Sequence, residues 1–373
     1  MTDTALRHPS PSATTPLEPD DPPMSGAGDD APTRRSRRLW KIGLLSVLGL
    51  VLLLVLGTVA VGLWVRHTLG SSVETFADPF AGLPTRAPQQ AVEKGQEPAT
   101  NFLVLGSDSR ISAGDPSQWQ VGAQRTDAIM IVQVSGDRQK VSVMSIPRDS
   151  WVDIPGHGPA KINAAYSYGG PALTIQTVEQ LTGIRINHFI VADFESFKTL
   201  TDEIGGVTIN LKTPQTLAGT ELDAGAQLLN GEQALAYTRE RRTLPGGDFD
   251  RINRQQAWMR AIVSQVFSSG TLSDPTRLYS FLHAVTSTMA VDEGLTVDEM
   301  QDLALGMRDV RSKDIKFMTV PTAGTDMSHD GQSIVNLDAD AGALLFEAFA
   351  TDAVEEYMES HPGAVELLPA TVN

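Results

Sequence analysis

Residues 128–146 read AIMIVQVSGDRQKVSVMSI, and this stretch decides the fold class. It contains two short apolar runs, 128–134 and 141–146, which are typical of buried strands. The spacer between them contains SGDRQ, a polar, turn-like sequence. Two strands joined by such a spacer indicate a hairpin.

A third apolar run, NFLVLG at 101–106, ends at a glycine and predicts another buried strand. Downstream, strand patterns alternate with helical ones, and we expect Asn230 to cap a short helix. Further strands are predicted at 187–194, 207–211 and 315–320, and helices at 171–181, 194–204, from about 250, 275–289, 296–310 and 338–351. The mixture predicts an α/β (α+β mixed) domain with a central mixed sheet flanked by helices.

The composition excludes several classes of protein. The chain has 373 residues, a formal net charge of −16 and no cysteine. A disulfide framework, a thiolate nucleophile and a cysteine-ligated zinc are therefore excluded. The acidity argues against a general nucleic-acid binder, which needs a basic face. There is also no Walker-type loop, H-E-x-x-H or G-x-S-x-G motif, and we expect His157 and His188 to be structural.

The N-terminal region predicts a membrane anchor. Residues 42–65 carry no charge and are long enough to cross a bilayer. A basic segment, 34–41, precedes them and follows a polar tail, 1–33, that we expect to be disordered. The basic excess places the tail in the cytoplasm and the remainder outside, as a single-pass protein of the cell membrane. A cleaved signal peptide fits less well, because both the lead and the apolar run are too long.

Outside the membrane we expect a proline-containing linker at 66–98, a catalytic domain at 99–355 and a loose C-terminal tail at 356–373. Charged residues recur at the ends of the predicted strands. Asp108 and Arg110 follow the first strand, Arg125 and Asp127 precede the second, and Arg148 with Asp149 follows the third. Each set could be a solvated turn or surface ion pair, but their recurrence at strand ends indicates a shared site.

The segment TRERRTLPGGDFDR, residues 238–251, concentrates arginines in an acidic chain. Arg239 and Arg241 leave one helix, and Arg251, Arg254 and Gln255 begin the next. Like charges repel unless an anion lies between them, and pyrophosphate suits several fork-shaped guanidinium groups near a helix N-terminus. The alternative is a surface network in which nearby acidic residues, namely Glu240, Asp248 and Asp250, neutralise the arginines.

Carboxylates beside a polyphosphate site indicate a hard divalent cation. Mg2+ binds one or two carboxylates and leaves its other positions to water and phosphate oxygens. Asp108 and Asp127 are the candidate ligands. A metal with several arginines would neutralise the charge of a leaving diphosphate.

The ordered motifs resemble the LytR-CpsA-Psr family of cell-envelope ligases. They read NFLVLGSDSR, QRTDAIMIV, VSVMSIPRDSWVDIPG, KINAAYSYGG, IGGVTINL, LNGEQALAYTRERR and GDFDRINRQQ. The resemblance implies transfer of a glycopolymer (wall teichoic acid, capsule or arabinogalactan) from a polyprenyl-diphosphate lipid to peptidoglycan. One departure is Asp250, where we expect glycine in the family; its charge could pair with Arg251 and weaken its hold on phosphate.

Carried over by position, the resemblance implies that Asp108 and Asp127 hold Mg2+, with Mn2+ as an alternative. The implied diphosphate-binding residues are Arg110, Arg125, Arg148, Arg239, Arg241, Arg251 and Gln255. Catalytic roles fall to Arg148, Arg239, Arg241 and Asp127, and Asp149 would orient an arginine. A prenyl pocket would use Phe189, Ile190, Phe194 and Phe197, although ordinary core packing is the stronger reading for such apolar residues.

Two other functions remain open at this point. A lipid-diphosphate hydrolase would use the same arginines with water as acceptor. A non-enzymatic envelope regulator, or transcription attenuator, would need DNA binding, but the basic residues beside the membrane are already explained by topology and lipid headgroups.

Overall fold

The predicted hairpin at 128–146 is confirmed by the structure. The structure is a computed structural model that describes residues 74–76, 78–107, 126–239, 248–268, 274–369 and 371. The two strands pair antiparallel, and at the turn the Ser135 backbone N–H donates to the Lys140 carbonyl at 3.0 Å.

The secondary structure follows the predicted order closely. The strands are β1 (Glu74–Phe76), β2 (Thr100–Ser107), β3 (Thr126–Val134), β4 (Val141–Ile146), β5 (Trp151–Ile154), β6 (Gly158–Lys161), β7 (His188–Asp193), β8 (Val207–Leu211), β9 (Gln215–Leu217), β10 (Thr220–Leu222), β11 (Gly225–Leu229), β12 (Met289–Asp292), β13 (Ile315–Thr319), β14 (Thr322–Met327) and β15 (Ser333–Leu337). The helices are α1 (Ala164–Thr182), α2 (Phe194–Glu203), α3 (Gly231–Arg239), α4 (Asp248–Ser268), α5 (Pro275–Thr288), α6 (Val297–Gly306), α7 (Ala339–Ala350) and α8 (Val354–Ser360).

The central sheet is mixed, and its strand order is β1-β12-β7-β2-β3-β4-β13. The pairs β1/β12, β2/β7 and β4/β13 are parallel, while β7/β12, β2/β3 and β3/β4 are antiparallel. The mixed α/β domain with a central sheet flanked by helices is therefore confirmed. The small hairpins β5/β6, β8/β11, β9/β10 and β14/β15 lie outside this sheet.

Both faces of the sheet are covered, because alternate strand residues point to opposite sides. Leu103, Ile131 and Met144 pack with α1, α7 and α8 on one side. Val104 and Val143 pack with α6 and with residues of α4 on the other. This explains why every residue of β4 is buried. A further apolar cluster joins α2, α3, α4 and α5 to β8.

Helix α1 begins earlier than its predicted start at Pro171. It contains a kink at Gly169 and Gly170, where Gly170 has φ 61° and ψ −152°. An L-residue with a side chain rarely adopts that conformation, so glycine permits the break. Pro171 then starts the second part of the helix, which is the position that proline tolerates.

Two segments predicted to be loose pack on the domain instead. Residues 78–98, expected to be a linker, are held by Arg86, whose Nη2 lies 2.8 Å from Glu179 Oε1. Beyond residue 355, α8 contributes buried Tyr357, and the Leu368 N–H donates to the Phe317 carbonyl at 2.9 Å. The expected tail is therefore wrong for the described residues there, because its apolar side chains complete the core. No helix among the described residues is long and apolar enough to span a bilayer, and the predicted membrane segment 42–65 lies outside them.

Candidate functional site

The candidate site lies at one end of the central sheet, where β2, β4, β7 and β13 end and β3 begins. Ser107 of β2 pairs with Thr126 of β3 and with Asp193 of β7. Ile146, the last residue of β4, pairs with Ile129 of β3, and Arg148 follows two residues later. The sheet therefore brings the end of β2, the start of β3 and the segment containing Arg148 to one edge.

The first turns of α4 are fixed against the same edge by Gln256. Its side-chain Nε2 donates to Ser145 Oγ at 2.7 Å, to the Met318 carbonyl at 3.2 Å and to Thr319 Oγ1 at 3.2 Å. These acceptors belong to the ends of β4 and β13. Gln256 is almost completely buried, so this link is shielded from water.

Arg254 joins α4 to the end of α3. Its Nη1 donates to the Tyr237 carbonyl at 2.7 Å, and its guanidinium carbon lies 4.4 Å from the centroid of the Tyr237 ring. Its Nη2 also donates to Gln215 Oε1 at 3.1 Å. Arg254 is thus a buried positioning residue rather than a surface cation, and it brings the segment that leads to Arg239 next to α4.

Arg251 and Gln255 are one turn apart on α4 and therefore lie on the same face of the helix. Arg251 is 2% exposed and Gln255 is 7% exposed. The side-chain NH2 group of Gln255 has no hydrogen-bond partner among the described residues. A guanidinium and an amide donor buried this deeply need anionic or acceptor groups close by.

Asp149, which the resemblance implied would orient an arginine, lies near two cations. Lys161 Nζ lies 3.1 Å from Asp149 Oδ1, whereas Arg148 Nε lies 3.8 Å from Asp149 Oδ2, too far for a hydrogen bond. Lys161 belongs to the motif KINAAYSYGG, and no role was predicted for it. Its position opposite Asp149 depends on the β5/β6 hairpin, which was not predicted.

Arg239 is the last residue of α3, and its side chain is exposed. Four predicted site residues lie outside the described part of the chain: Asp108, Arg110, Arg125 and Arg241. Asp127 belongs to β3 through its backbone, but its side chain is likewise outside that part. The roles assigned to these residues, and the neutralising network of Glu240 and Asp248, therefore remain predictions.

Two hydroxyl groups were missed by sequence reasoning. Thr126 and Tyr237 are fully buried, and neither side-chain oxygen has a hydrogen-bond partner among the described residues. Burial raises the pKa of Tyr237 to about 12, against a smaller lowering by Arg254, so its hydroxyl remains protonated and can donate. The only signal in the sequence was that each residue carries a hydroxyl group within a motif, Thr126 in QRTDAIMIV and Tyr237 in LNGEQALAYTRERR.

The residues predicted to form one prenyl pocket do not line a common surface, so that prediction is wrong. Phe189 is fully buried on the α1 side of the sheet, whereas Ile190, its neighbour on β7, packs on the opposite side. Phe197 lies on α2, where its ring centroid is 5.5 Å from that of Trp258. Core packing is confirmed for Phe189, and the side chain of Phe194 is not described.

The two histidines expected to be structural, His157 and His188, each contact other side chains of the domain. His188 Nδ1 lies 3.2 Å from Asp292 Oδ2, and its Nε2 lies 3.2 Å from Glu299 Oε1. His157 stacks on Tyr168, with ring centroids 4.7 Å apart. No group of three or more histidine, aspartate or glutamate side chains in the described residues could hold a metal ion.

A profile of the LytR_cpsA_psr family matches residues 79–348. This chain belongs to that family. Cell wall biosynthesis protein LcpA of Corynebacterium glutamicum is 32% identical over an alignment of 293 residues, and the match covers 67% of this chain and 55% of LcpA. Probable cell wall biosynthesis protein LcpB of the same organism is 36% identical over an alignment of 261 residues, and the match covers 68% of this chain and 62% of LcpB. The chain thus spans less than two thirds of these two relatives.

Other LytR_cpsA_psr relatives carry different descriptions. Regulatory protein MsrR of Staphylococcus aureus is 34% identical over 247 residues, which are 65% of this chain and 69% of MsrR. The solved structure of TagT bound to LI-WTA is 23% identical, with a TM-score of 0.54, and the match covers 74% of this chain and 96% of that one. At this identity the likeness shows the fold alone.

Proposed function

We propose that this LytR_cpsA_psr protein is a phosphotransferase that moves a glycopolymer from a polyprenyl-diphosphate carrier onto peptidoglycan. The reaction would take place at the outer face of the cell membrane. Membership of a family that includes cell wall biosynthesis proteins supports the general role. The observation that supports the chemistry best is the pair Arg251 and Gln255, buried together on α4 beside the strand ends that precede Arg148.

This arrangement suits a diphosphate for two reasons. A guanidinium group can donate two parallel hydrogen bonds to phosphate oxygens, and its charge is worth more where water is excluded. The N-terminal turns of α4 also favour an anion, because the positive end of the helix dipole lies there. Arg148, Arg251 and Gln255 would hold the diphosphate, and Arg110, Arg125, Arg239 and Arg241 would complete the grip.

The proposed step is a phosphoryl transfer. The hydroxyl oxygen of the acceptor sugar attacks the phosphorus that carries the glycopolymer. The bond from that phosphorus to the bridging oxygen breaks, and polyprenyl phosphate leaves with the electron pair. The arginines stabilise the charge that develops on the leaving phosphate, and Asp127 or Asp108 would take the proton from the acceptor if its carboxylate is not fully committed to the metal.

A magnesium ion is part of the proposal, with Mn2+ as an alternative. Ser107 and Thr126 are paired across β2 and β3, and each directly precedes one of the two aspartates in the sequence. Two carboxylates are a ligand set that Mg2+ accepts, so Asp108 and Asp127 would hold the ion. When bound, it would neutralise charge on the diphosphate.

We further propose that residues 42–65 anchor the protein in the membrane with residues 1–33 in the cytoplasm. The anchor would keep the site within reach of a lipid-linked donor. There are two alternatives to the phosphotransferase. A polyprenyl-diphosphate hydrolase would use the same arginines with water as acceptor. An envelope regulator is the second alternative, and a relative described as regulatory protein MsrR favours it.

The test uses the full chain in detergent with a polyprenyl-diphosphate oligosaccharide, Mg2+ and soluble peptidoglycan fragments. A phosphotransferase yields an acceptor-linked product, whereas a hydrolase yields the same free product with or without acceptor. Arg148→Ala, Arg239→Ala and Arg241→Ala should each abolish transfer without unfolding the domain. Normal rates in these variants would show that the assignment is wrong, and an exposed arginine elsewhere, Arg308→Ala, is the control.

A further inference from the structure

A groove of about 460 Å³ opens on the α1 side of the sheet. It lies between β5, the end of α1, β15 and the start of α7. Its lining includes Trp151, Asp153, Gln180, Leu181, Asn336 and Phe346. Its volume is in the range that small-molecule sites occupy.

The chemistry of the lining limits what can bind there. An indole ring and the side chains of Leu181 and Phe346 provide apolar surface, while Gln180 and Asn336 provide amide donors and acceptors. Asp153 and Asp338 add carboxylate oxygens, and no lysine or arginine is among the described residues that line the groove. A phosphate or another anion would therefore be disfavoured. A ligand with apolar faces and many hydroxyl groups would satisfy both kinds of surface.

A sugar ring has this character. Its axial C–H groups form an apolar face that can stack on an indole, and its hydroxyls pair with amides and carboxylates. Trp151 is only partly buried, so part of its side chain is available to a ligand. The lining therefore matches an uncharged saccharide better than a lipid chain or a peptide carboxylate.

Two segments of the chain link the groove to the segment that carries Arg148. Trp151 follows Arg148 by three residues, which span at most about 11 Å. On the other segment, the Val335 N–H donates to the Asp149 carbonyl at 2.9 Å, and Asn336 is the next residue. A saccharide that contacts Trp151 or Asn336 would therefore lie beside the segment that contains Arg148 and Asp149.

From these observations we propose that this groove binds a segment of uncharged glycan during the transfer reaction. The inference rests on the proposed function, which supplies two sources of glycan: the acceptor strand and the polymer on the lipid. Both present the same chemistry to the groove. If it binds the acceptor strand, the groove would determine which hydroxyl group reaches the phosphate. If it binds the polymer on the lipid, it would determine which polymer is transferred. The proposed function thereby gains a saccharide subsite.

The test measures binding separately from transfer. Full-length protein in detergent is titrated with soluble, peptide-free peptidoglycan glycan strands and with phosphate-free oligosaccharide released from the donor, by calorimetry. Trp151→Ala and Gln180→Ala should weaken the Kd of one of these probes about fivefold to tenfold, and Trp151→Phe should recover most of the loss. Gln301→Ala is the matched control, because Gln301 is an exposed helical glutamine on the other side of the sheet.

The two probes separate the sources. A loss confined to the peptidoglycan strands, with a raised KM for acceptor in the transfer assay, assigns the groove to the acceptor. A loss confined to the donor oligosaccharide assigns it to the polymer. Folding of Trp151→Ala is checked by its thermal midpoint, and exposed Gln180 provides a second variant that does not depend on the indole.

The proposal is overturned if both variants bind both probes with the wild-type Kd. That outcome is independent of the phosphotransferase assignment, which would survive if the wild type still transferred polymer. Conversely, wild-type protein that binds glycan through the groove but forms no acceptor-linked product would contradict the proposed reaction and leave the saccharide site in place.

Discussion

At the scale of single residues, Arg251 is the most informative side chain, because only 2% of its surface is exposed although it carries a full charge. Removing a cation from water costs several kcal/mol unless anions or acceptors replace the water. Gln255 lies one turn away and is also buried. The Gln255 side-chain NH2 group, which has no hydrogen-bond partner among the described residues, points to a ligand that is rich in acceptors, and the charge of the neighbouring Arg251 favours an anionic one.

Arg251→Lys tests the geometry of the charge. Lysine keeps the charge but cannot make two parallel hydrogen bonds, so kcat for polymer transfer should fall about 100-fold. The measurement is transfer by purified variant at saturating donor, with the thermal midpoint as a check of folding. Wild-type kcat in this variant would indicate that a point charge suffices and that bidentate contact plays no part.

Tyr237→Phe tests a buried hydroxyl. The Tyr237 oxygen has no hydrogen-bond partner among the described residues, so its removal should leave the free energy of unfolding unchanged or slightly higher. If the hydroxyl donates to the diphosphate, kcat/KM should fall about tenfold. Reduced stability with normal transfer would assign the hydroxyl to the packing of the domain instead.

At the scale of secondary structure, α4 carries the site because it is attached at two places. Gln256 attaches it to β4 and β13, and Arg254 attaches it to α3. These contacts hold the first turns of the helix at the sheet end. The position of Arg251 thus depends on side chains that need never touch the ligand.

Gln256→Ala should lower the free energy of unfolding by about 2–3 kcal/mol, because it leaves buried acceptors at Ser145 and Met318 without their donor. Transfer should fall as well, since α4 loses one of its attachments. Urea denaturation gives the stability, and the exposed Gln301→Ala should change it by less than about 0.5 kcal/mol. Equal stability of both variants would contradict this account of α4.

The turn between α7 and α8 makes stability depend on pH. Asp352 Oδ2 accepts from the Gly136 N–H at 2.9 Å, and burial raises the pKa of Asp352 above its usual 3.8, against a smaller lowering by that hydrogen bond. A carboxyl whose pKa is raised on folding contributes stability below pH 3.8 that is lost as pH rises through the folded value.

Asp352→Asn should therefore lose less stability than the wild type as pH rises from 3.8. Asparagine keeps an acceptor for Gly136, and it tolerates the left-handed conformation of this residue, φ 58°. Thermal midpoints of both proteins across this pH range provide the measurement, with the exposed Asp302→Asn as control. Parallel curves for wild type and Asp352→Asn would contradict the role of burial.

At the scale of the whole molecule, the segment before β2 is part of the folded domain. Glu179 is 2% exposed and accepts from Arg86 through both carboxylate oxygens, at 2.8–3.0 Å. Arg86 Nη2 also donates to the Ile186 carbonyl at 2.6 Å. One ion pair thus fixes the chain that leads into the domain against α1.

Arg86→Ala should lower the free energy of unfolding by about 3–5 kcal/mol, because it leaves the buried carboxylate of Glu179 without its cation. The double variant Arg86→Ala/Glu179→Gln should recover part of the loss. Arg308→Ala removes an exposed ion pair with Asp309 and should cost less than about 1 kcal/mol. Denaturant titration of the four proteins tests this, and similar values for Arg86→Ala and Arg308→Ala would contradict it.

Most elements of the fold could be predicted because their signals are local. The observed bounds of β4 and β8 coincide with the apolar runs VSVMSI and VTINL. The Asn230 side chain caps α3 by accepting from the Gln233 N–H at 2.9 Å, as expected. The hairpins β5/β6 and β14/β15 were missed, because short strands carry too few alternating residues to distinguish them from loops.

By itself, the sequence determined the order of the strands and helices that were predicted. The spacing of apolar residues, the turns and the helix caps all depend on residues that are close together in the chain. It also indicated that several arginines could meet an anion. Only the tertiary structure decided that Arg251 is buried while Arg239 is exposed, and that Lys161 is the nearest cation to Asp149. Burial and ion pairing depend on the approach of segments distant in the chain, which no local pattern encodes.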